Sequence, residues 1–124
     1  MAYTTLTDKL SDKTLLRTQA YVSGEWIDAD DGETFDVTDP ATGAVIVSLP
    51  HLKRAETVRA ITAAEKSQKE WAALPAKQRS TILRNLFDLI VENADDLGKI
   101  LTAEMGKPIA EAIGEIHYGA SFIE

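Results

Sequence analysis

Residues 106–108 read Gly-Lys-Pro, and a Gly-Lys pair raises the question of phosphate binding. A phosphate-cradling loop has the form G-x-x-x-x-G-K-[ST]: backbone amides wrap the phosphate, and the hydroxyl meets magnesium. Here Pro108 stands where the hydroxyl is needed and Leu101 where the first glycine is needed, so both ends fail. A G-x-G-x-x-G dinucleotide fingerprint is absent too. The acidic run Asp28-Ala29-Asp30-Asp31-Gly32-Glu33 invites a calcium reading. Setting Gly32 at the sixth loop position puts Ile27 and Ala29 where side-chain oxygens belong, so it reads as a solvated hairpin loop. His51 and His117 have no second histidine at ligand spacing. Ser23, Ser48, Ser67 and Ser80 lack a nucleophile elbow. Glu111 and Glu115 lie one helical turn apart, which suits a carboxylate pair and equally a solvated helix face. There is no cysteine, hence no thiolate and no disulfide. By residue chemistry alone, no constellation here is an active site.

The elements that would position these residues are legible. Residues 1–19 are polar and threonine-rich and read as an N-terminal arm outside the core, with a helical turn around Leu15 and Leu16. From residue 20 the stretch "AYVSGEWI" predicts strand, Ser-Gly turn and strand. Alternation at Phe35 and Val37, then at Val45, Val47 and Leu49, predicts a further pair around an Asp39-Pro40 turn that Gly43 closes. The expectation is a small antiparallel meander. Helical spacing then takes over. Val58, Ile61, Ala64 and Trp71 mark a helix from about Arg54 to Leu74, and Pro75 ends it and opens the next. Ile82, Leu83, Leu86, Phe87 and Ile90 form one strong apolar face. Asn93 is expected to cap the following helix, with Asp95 and Asp96 at its positive end. The Gly-Lys-Pro corner is helix punctuation: Gly106 suits the left-handed position after one helix, and Pro108 the first position of another. Gly114 and Gly119, inside that last helix, are expected to permit close packing.

The last helix has two faces. Ile109, Ala112, Ile113, Ile116, Ala120 and Ile123 gather in one stripe, while Glu111, Glu115, Tyr118 and Phe122 gather opposite. Two aromatics on the side that should be wet indicate a surface that meets something. The periodicity reaches "SFIE" without a stop signal, so the helix is expected to continue through Glu124, as in a shortened chain.

With 124 residues and 44% apolar content, the chain suits one globular domain. Its formal charge of −7 disfavours nucleic acid, which needs clustered lysine and arginine. No apolar run is long enough for a membrane span, and the first residues lack a signal-peptide core, so the expected location is cytoplasmic.

The segments "VSGEWIDADDGETFDVTDPATGAVI", Trp71 before "LPAKQRSTILRNLFDLI", and "LTAEMGKPIAEAIGEIHYGASFIE" resemble, in this order and spacing, the N-terminal part of the aldehyde dehydrogenase superfamily. The likeness covers about Ala20 to Glu124 and is greatest to succinate-semialdehyde dehydrogenases. It implies an α/β fold: the β-meander and a four-helix portion of an NAD(P)-binding, Rossmann-like domain, α+β when taken in isolation. It further implies a much longer homo-oligomeric enzyme, dimer or tetramer, that oxidises succinate semialdehyde to succinate with NAD or NADP. In the family a cysteine thiolate attacks the aldehyde, hydride leaves the tetrahedral centre for nicotinamide, and an activated water hydrolyses the thioester. Those residues fall beyond Glu124 in the family pattern. The segment itself is therefore expected to carry no catalytic residue and to bind no cofactor. The alternative is a self-standing, non-catalytic helical interaction module on the same scaffold.

Two roles carry over by resemblance. Glu104, in E-x-GKP, matches a carboxylate that in some relatives helps hold a monovalent cation with carbonyls near Val37 and Thr38. Glu115, Tyr118 and Phe122 would fall on the side of the last helix that borders the substrate tunnel. One departure is Lys53-Arg54, where many relatives place a serine or aspartate cap; it is expected to weaken the start of that helix.

Overall fold

The computed structural model describes residues 5–124, so residues 1–4 of the expected arm lie outside the described residues. The chain runs α1 (Leu6–Lys9), a 3-10 turn (Lys13–Leu15), β1 (Ala20–Val22), β2 (Glu25–Ile27), β3 (Thr34–Thr38), β4 (Val45–Pro50), α2 (Arg54–Ala73), α3 (Ala76–Glu92), α4 (Ala94–Met105) and α5 (Ile109–Ser121). No helix is long and apolar enough to cross a membrane among the described residues.

The strands form two separate antiparallel hairpins, β1–β2 and β3–β4. The expected meander is thus divided. Residues 28–33 bend over the start of α2 and are held there by side chains, which leaves no backbone ladder to join the pairs. In the first hairpin Ser23 and Gly24 both have positive φ, at 55° and 88°, the requirement of a turn whose twist matches its strands. Tyr21 faces Trp26 across the pair, with ring centroids 5.1 Å apart, and the Arg17 guanidinium lies 4.6 Å over the Trp26 ring. In the second, Asp39 Oδ1 accepts from the Ala41 amide at 2.8 Å, building the expected Asp-Pro turn.

α4 and α5 pack closely, and α3 lies along α5. Gly98 permits the approach: a Cβ there would come within 2.6 Å of Ile113 Cγ1. The sequence pointed instead to Gly114 and Gly119, but a Cβ on either would meet nothing within 4 Å. The arm also departs from expectation. Leu10 is buried, and the Asp12 amide donates to Asp96 Oδ2 at 2.8 Å, tying this segment to α4. Asn93 occupies the junction between α3 and α4, yet its side chain makes no cap; its Nδ2 donates backward to the Leu89 carbonyl at 2.8 Å. Pro108 precedes the first helical residue rather than being it, with ψ at 140°. α5 stops at Ser121, three residues short of the expected end, where the Phe122 and Ile123 amides donate to the carbonyls three residues back, Gly119 and Ala120, and the turn tightens.

The apolar faces expected to be core are only partly so. Val58 and Ile61 of α2 and Ile82, Leu83 and Leu86 of α3 are exposed, and no large side chain among the described residues is fully buried.

Candidate functional site

The Gly-Lys-Pro corner joins α4 to α5. Gly106 adopts φ 79° and its amide donates to the Thr102 carbonyl at 2.8 Å, closing α4. A Cβ at Gly106 would lie 3.1 Å from Pro40 Cγ, so the corner sits against the β3–β4 turn. Lys107, half-buried, pairs with the Glu115 carboxylate one face along α5. The Lys107 cation at the corner is therefore paired from within the chain. These residues do not fit a dinucleotide or phosphate cradle.

Beyond Lys107–Glu115 on the same side of α5, Tyr118 and Phe122 are 67% and 74% exposed. Their rings meet edge to face, 4.9 Å apart at 85°. The structure thus brings Glu115, Tyr118 and Phe122 onto one face, with Ala112 and Ala120 buried on the other. Glu115 pairs with Lys107 and not with Glu111. Glu104 is exposed in the last turn of α4, and no three His, Cys, Asp or Glu side chains gather as for a metal among the described residues. His117 is exposed on α5. Ser48 Oγ donates to Asp36 Oδ1 at 2.6 Å across the second hairpin, with no base between them.

A second cluster fastens the acidic loop to α2. Glu56, 3% exposed, accepts from the Lys53 amide at 3.1 Å and from the Asp30 amide at 3.0 Å. Lys53 offers no acceptor of its own as a cap, so Glu56 holds the helix start from inside. Arg59 grips both oxygens of Asp30 at 2.7 Å, and Lys53 reaches Asp31 and Glu33. Those bonds set the charges. Lys53 is pushed up to about 12, chiefly by Asp31 and Glu33. Asp31 is lowered by Lys53, Asp30 by Arg59, and Glu56 by the Asp30 amide. At the start of α4, Asp96 is held at about 2 by Lys99 and by the Asp12 amide. Asp30, Asp31 and Glu33 are engaged by cations of the chain itself and Asp28 by the Gln19 side-chain amide, consistent with a structural loop. The sequence did not single out Glu56, and it placed Asp96 at the helix's positive end without its bond to the Asp12 amide. Glu56 had a signal, an acid three residues after the helix cap; the Asp12–Asp96 bond had none, because the partners are distant in the chain.

Between the first hairpin and α2 runs an open groove of about 550 Å³, lined by Val22, Ile27, Val58, Arg59 and Lys66 among others. It contains no nucleophile beside a base.

The sequence profile of the aldehyde dehydrogenase family matches residues 26–124. The chain belongs to the aldehyde dehydrogenase family. This member is 57% identical, over 94% of its length, to the glutarate-semialdehyde dehydrogenase of Pseudomonas putida and 53% identical to the succinate-semialdehyde dehydrogenase [NADP(+)] of Escherichia coli. It spans about a quarter of these curated relatives, 24% of each. Among solved structures, an NADP-dependent enzyme of E. coli superposes with a TM-score of 0.91 at 53% identity, over 93% of this chain and 24% of that one. The succinate-semialdehyde dehydrogenase of Burkholderia pseudomallei gives 0.89 at 53% identity, over 91% and 23%. The hairpins and helices described above are therefore the N-terminal portion of the aldehyde dehydrogenase fold.

Proposed function

We propose that this aldehyde dehydrogenase segment serves an NAD(P)-dependent oxidation of a linear semialdehyde with a distal carboxylate, succinate semialdehyde or its one-carbon-longer homologue. The observation that carries the reading is the 57% and 53% identity to relatives named for glutarate and succinate semialdehyde. The segment's contribution is shape. Nicotinamide accepts the hydride when bound, in a part of the fold these residues do not supply.

Tyr118 and Phe122 form one wall of the substrate passage. Two interlocked rings offer a stiff apolar surface to a methylene chain at little cost in side-chain entropy. Lys107 compensates the charge of Glu115, so that wall does not repel an anionic substrate. Glu104, with the carbonyls of Val37 and Thr38, belongs to the same reading as a site for a monovalent cation.

The test is a fusion in which this chain replaces the corresponding quarter of the P. putida enzyme. Both semialdehydes are expected to be oxidised. Tyr118→Ala or Phe122→Ala should raise KM by about tenfold with kcat nearly unchanged, the signature of lost uniform binding. Unaltered KM for both substrates in both variants would remove these residues from the passage. The chain alone should be inert, since loss of a nucleophile costs roughly a millionfold in rate.

A further inference from the structure

The acidic loop holds an Asp–Gly step, Asp31–Gly32, and neither Asp–Gly nor Asn–Gly occurs elsewhere in the sequence. At such a step the glycine nitrogen can attack the side-chain carboxyl of the residue before it, because no Cβ shields the approach and the chain bends freely there. The step is open to water: the Asp31 side chain is 41% exposed, and a Cβ added at Gly32 would meet nothing within 4 Å. Both reacting groups are nonetheless occupied. The Gly32 amide donates to the Ala29 carbonyl at 2.9 Å, and Ala29 is buried. Asp31 Oδ1 accepts from the Glu33 amide at 2.9 Å, and Oδ2 accepts from the Lys53 ammonium. Lys53 makes no side-chain cap for α2. Its ammonium turns to the loop instead, reaching Asp31 and, at 3.0 Å, Glu33.

We propose that Asp31–Gly32 is a site of spontaneous main-chain isomerisation, and that Lys53 keeps it dormant. Water is the only co-reactant. The Gly32 nitrogen bonds to Cγ of the protonated Asp31 carboxyl, the Cγ–OH bond breaks, and the hydroxyl leaves as water with the amide proton. The succinimide ring that results takes up water at either carbonyl, and nothing is oxidised or reduced. Opening at Cγ restores aspartate. Opening at the main-chain carbonyl leaves isoaspartate, with the main chain one atom longer between Asp30, which Arg59 grips, and Glu33, which Lys53 reaches. Only the neutral carboxyl carries a hydroxyl that can leave as water, and a cation beside it favours the charged form. Asp31 is held below the ordinary carboxylate range, chiefly by Lys53 and then by the Glu33 amide. Arg59, which also meets this loop, is committed to both oxygens of Asp30 and does not stand in for Lys53.

The test incubates the full chain in warm, mildly acidic buffer. Isoaspartate is counted by enzymatic transfer of a labelled methyl group from S-adenosylmethionine, and peptide mapping locates it. The succinimide reads as a mass lower by one water. Lys53→Gln should accelerate isomerisation at least about threefold, because the protonated carboxyl is more populated once the cation beside it is gone. Lys53→Arg keeps a cation and should match the unsubstituted chain. Arg59→Gln loosens the loop through Asp30 without discharging Lys53, so it should accelerate less than Lys53→Gln. Asp31→Glu, which would need a larger ring, should abolish the signal. Three results overturn the proposal: an unchanged rate in Lys53→Gln, a rate in Lys53→Arg as high as in Lys53→Gln, or a label that persists in Asp31→Glu. An Arg59→Gln rate equal to that of Lys53→Gln overturns it as well, by assigning protection to loop rigidity. The unsubstituted chain supplies a measurement free of any variant's folding: it should isomerise more slowly folded than in denaturant, and equal rates overturn the proposal.

Discussion

The α4–α5 pair and the α2–α3 pair are both amphipathic and end in different states. At α4–α5, small residues meet: Gly98 lies under Ile113, and Ala94, Ala112 and Ala120 are buried. At α2 and α3, larger apolar side chains such as Ile61 and Leu89 stay in water. Burial here follows what neighbour is available, not side-chain size. Apolar transfer is proportional to the area removed from water, so a large side chain without a facing layer contributes little stability. The first pair buries its contact, and the second leaves its larger apolar side chains exposed.

Substitutions can break or sharpen that contrast. The largest effect is expected at Gly98→Leu, which forces side-chain atoms into Ile113 and should cost about 3 kcal/mol by overpacking; denaturant unfolding monitored by circular dichroism measures it. Gly106→Ala comes next, at about 1–2 kcal/mol, because φ 79° is unfavourable for any residue with a Cβ and Pro40 crowds the added methyl. Gly114→Ala should act in the opposite direction, stabilising by about 0.5–1 kcal/mol, since it improves helix propensity in open space. A destabilised Gly114→Ala would show that this side of α5 is already covered. Leu89→Ala should be the smallest, below about 1 kcal/mol in the chain alone, against the 2–5 kcal/mol typical of a buried leucine.

A pH titration separates the polar clamps from both helix pairs. Asp96 lies at about 2 against an ordinary 3.8, so its folded-state value is depressed. Its contribution to stability is present above the ordinary value and is lost as pH falls through about 2. Asp30, Asp31 and Glu56 shift in the same direction. The unfolding midpoint should therefore fall between about pH 4 and pH 2, and Asp96→Asn should flatten part of that decline. A midpoint unaffected by the substitution would show that the bonds to Lys99 and the Asp12 amide do not stabilise the fold.

Local signals carried most of the element order. Ser23-Gly24 and Asp39-Pro40 mark their turns through backbone preference and a local side-chain bond, and α2 begins at Arg54 as its periodicity indicated. The two faces of α5 were also legible, because a helix of known pitch assigns each residue a side without reference to neighbours. What could not be read were contacts between distant residues. Nothing in the wording around Gly98 separates it from Gly114, yet one lies against Ile113 and the other faces open space. Asp96 looked like a helix-dipole acid and is also the acceptor for Asp12, 84 residues earlier.

By itself the sequence determined the helices, the turns, the missing thiol and the family pattern, all of which depend on residue type and short spacing. Tertiary structure alone decided that Lys107 is spent on Glu115, that Glu56 anchors the acidic loop, and that α3 is covered on one side. The physical reason is that propensity and periodicity act within a few residues. Burial and charge pairing are set by whatever the folded chain brings near.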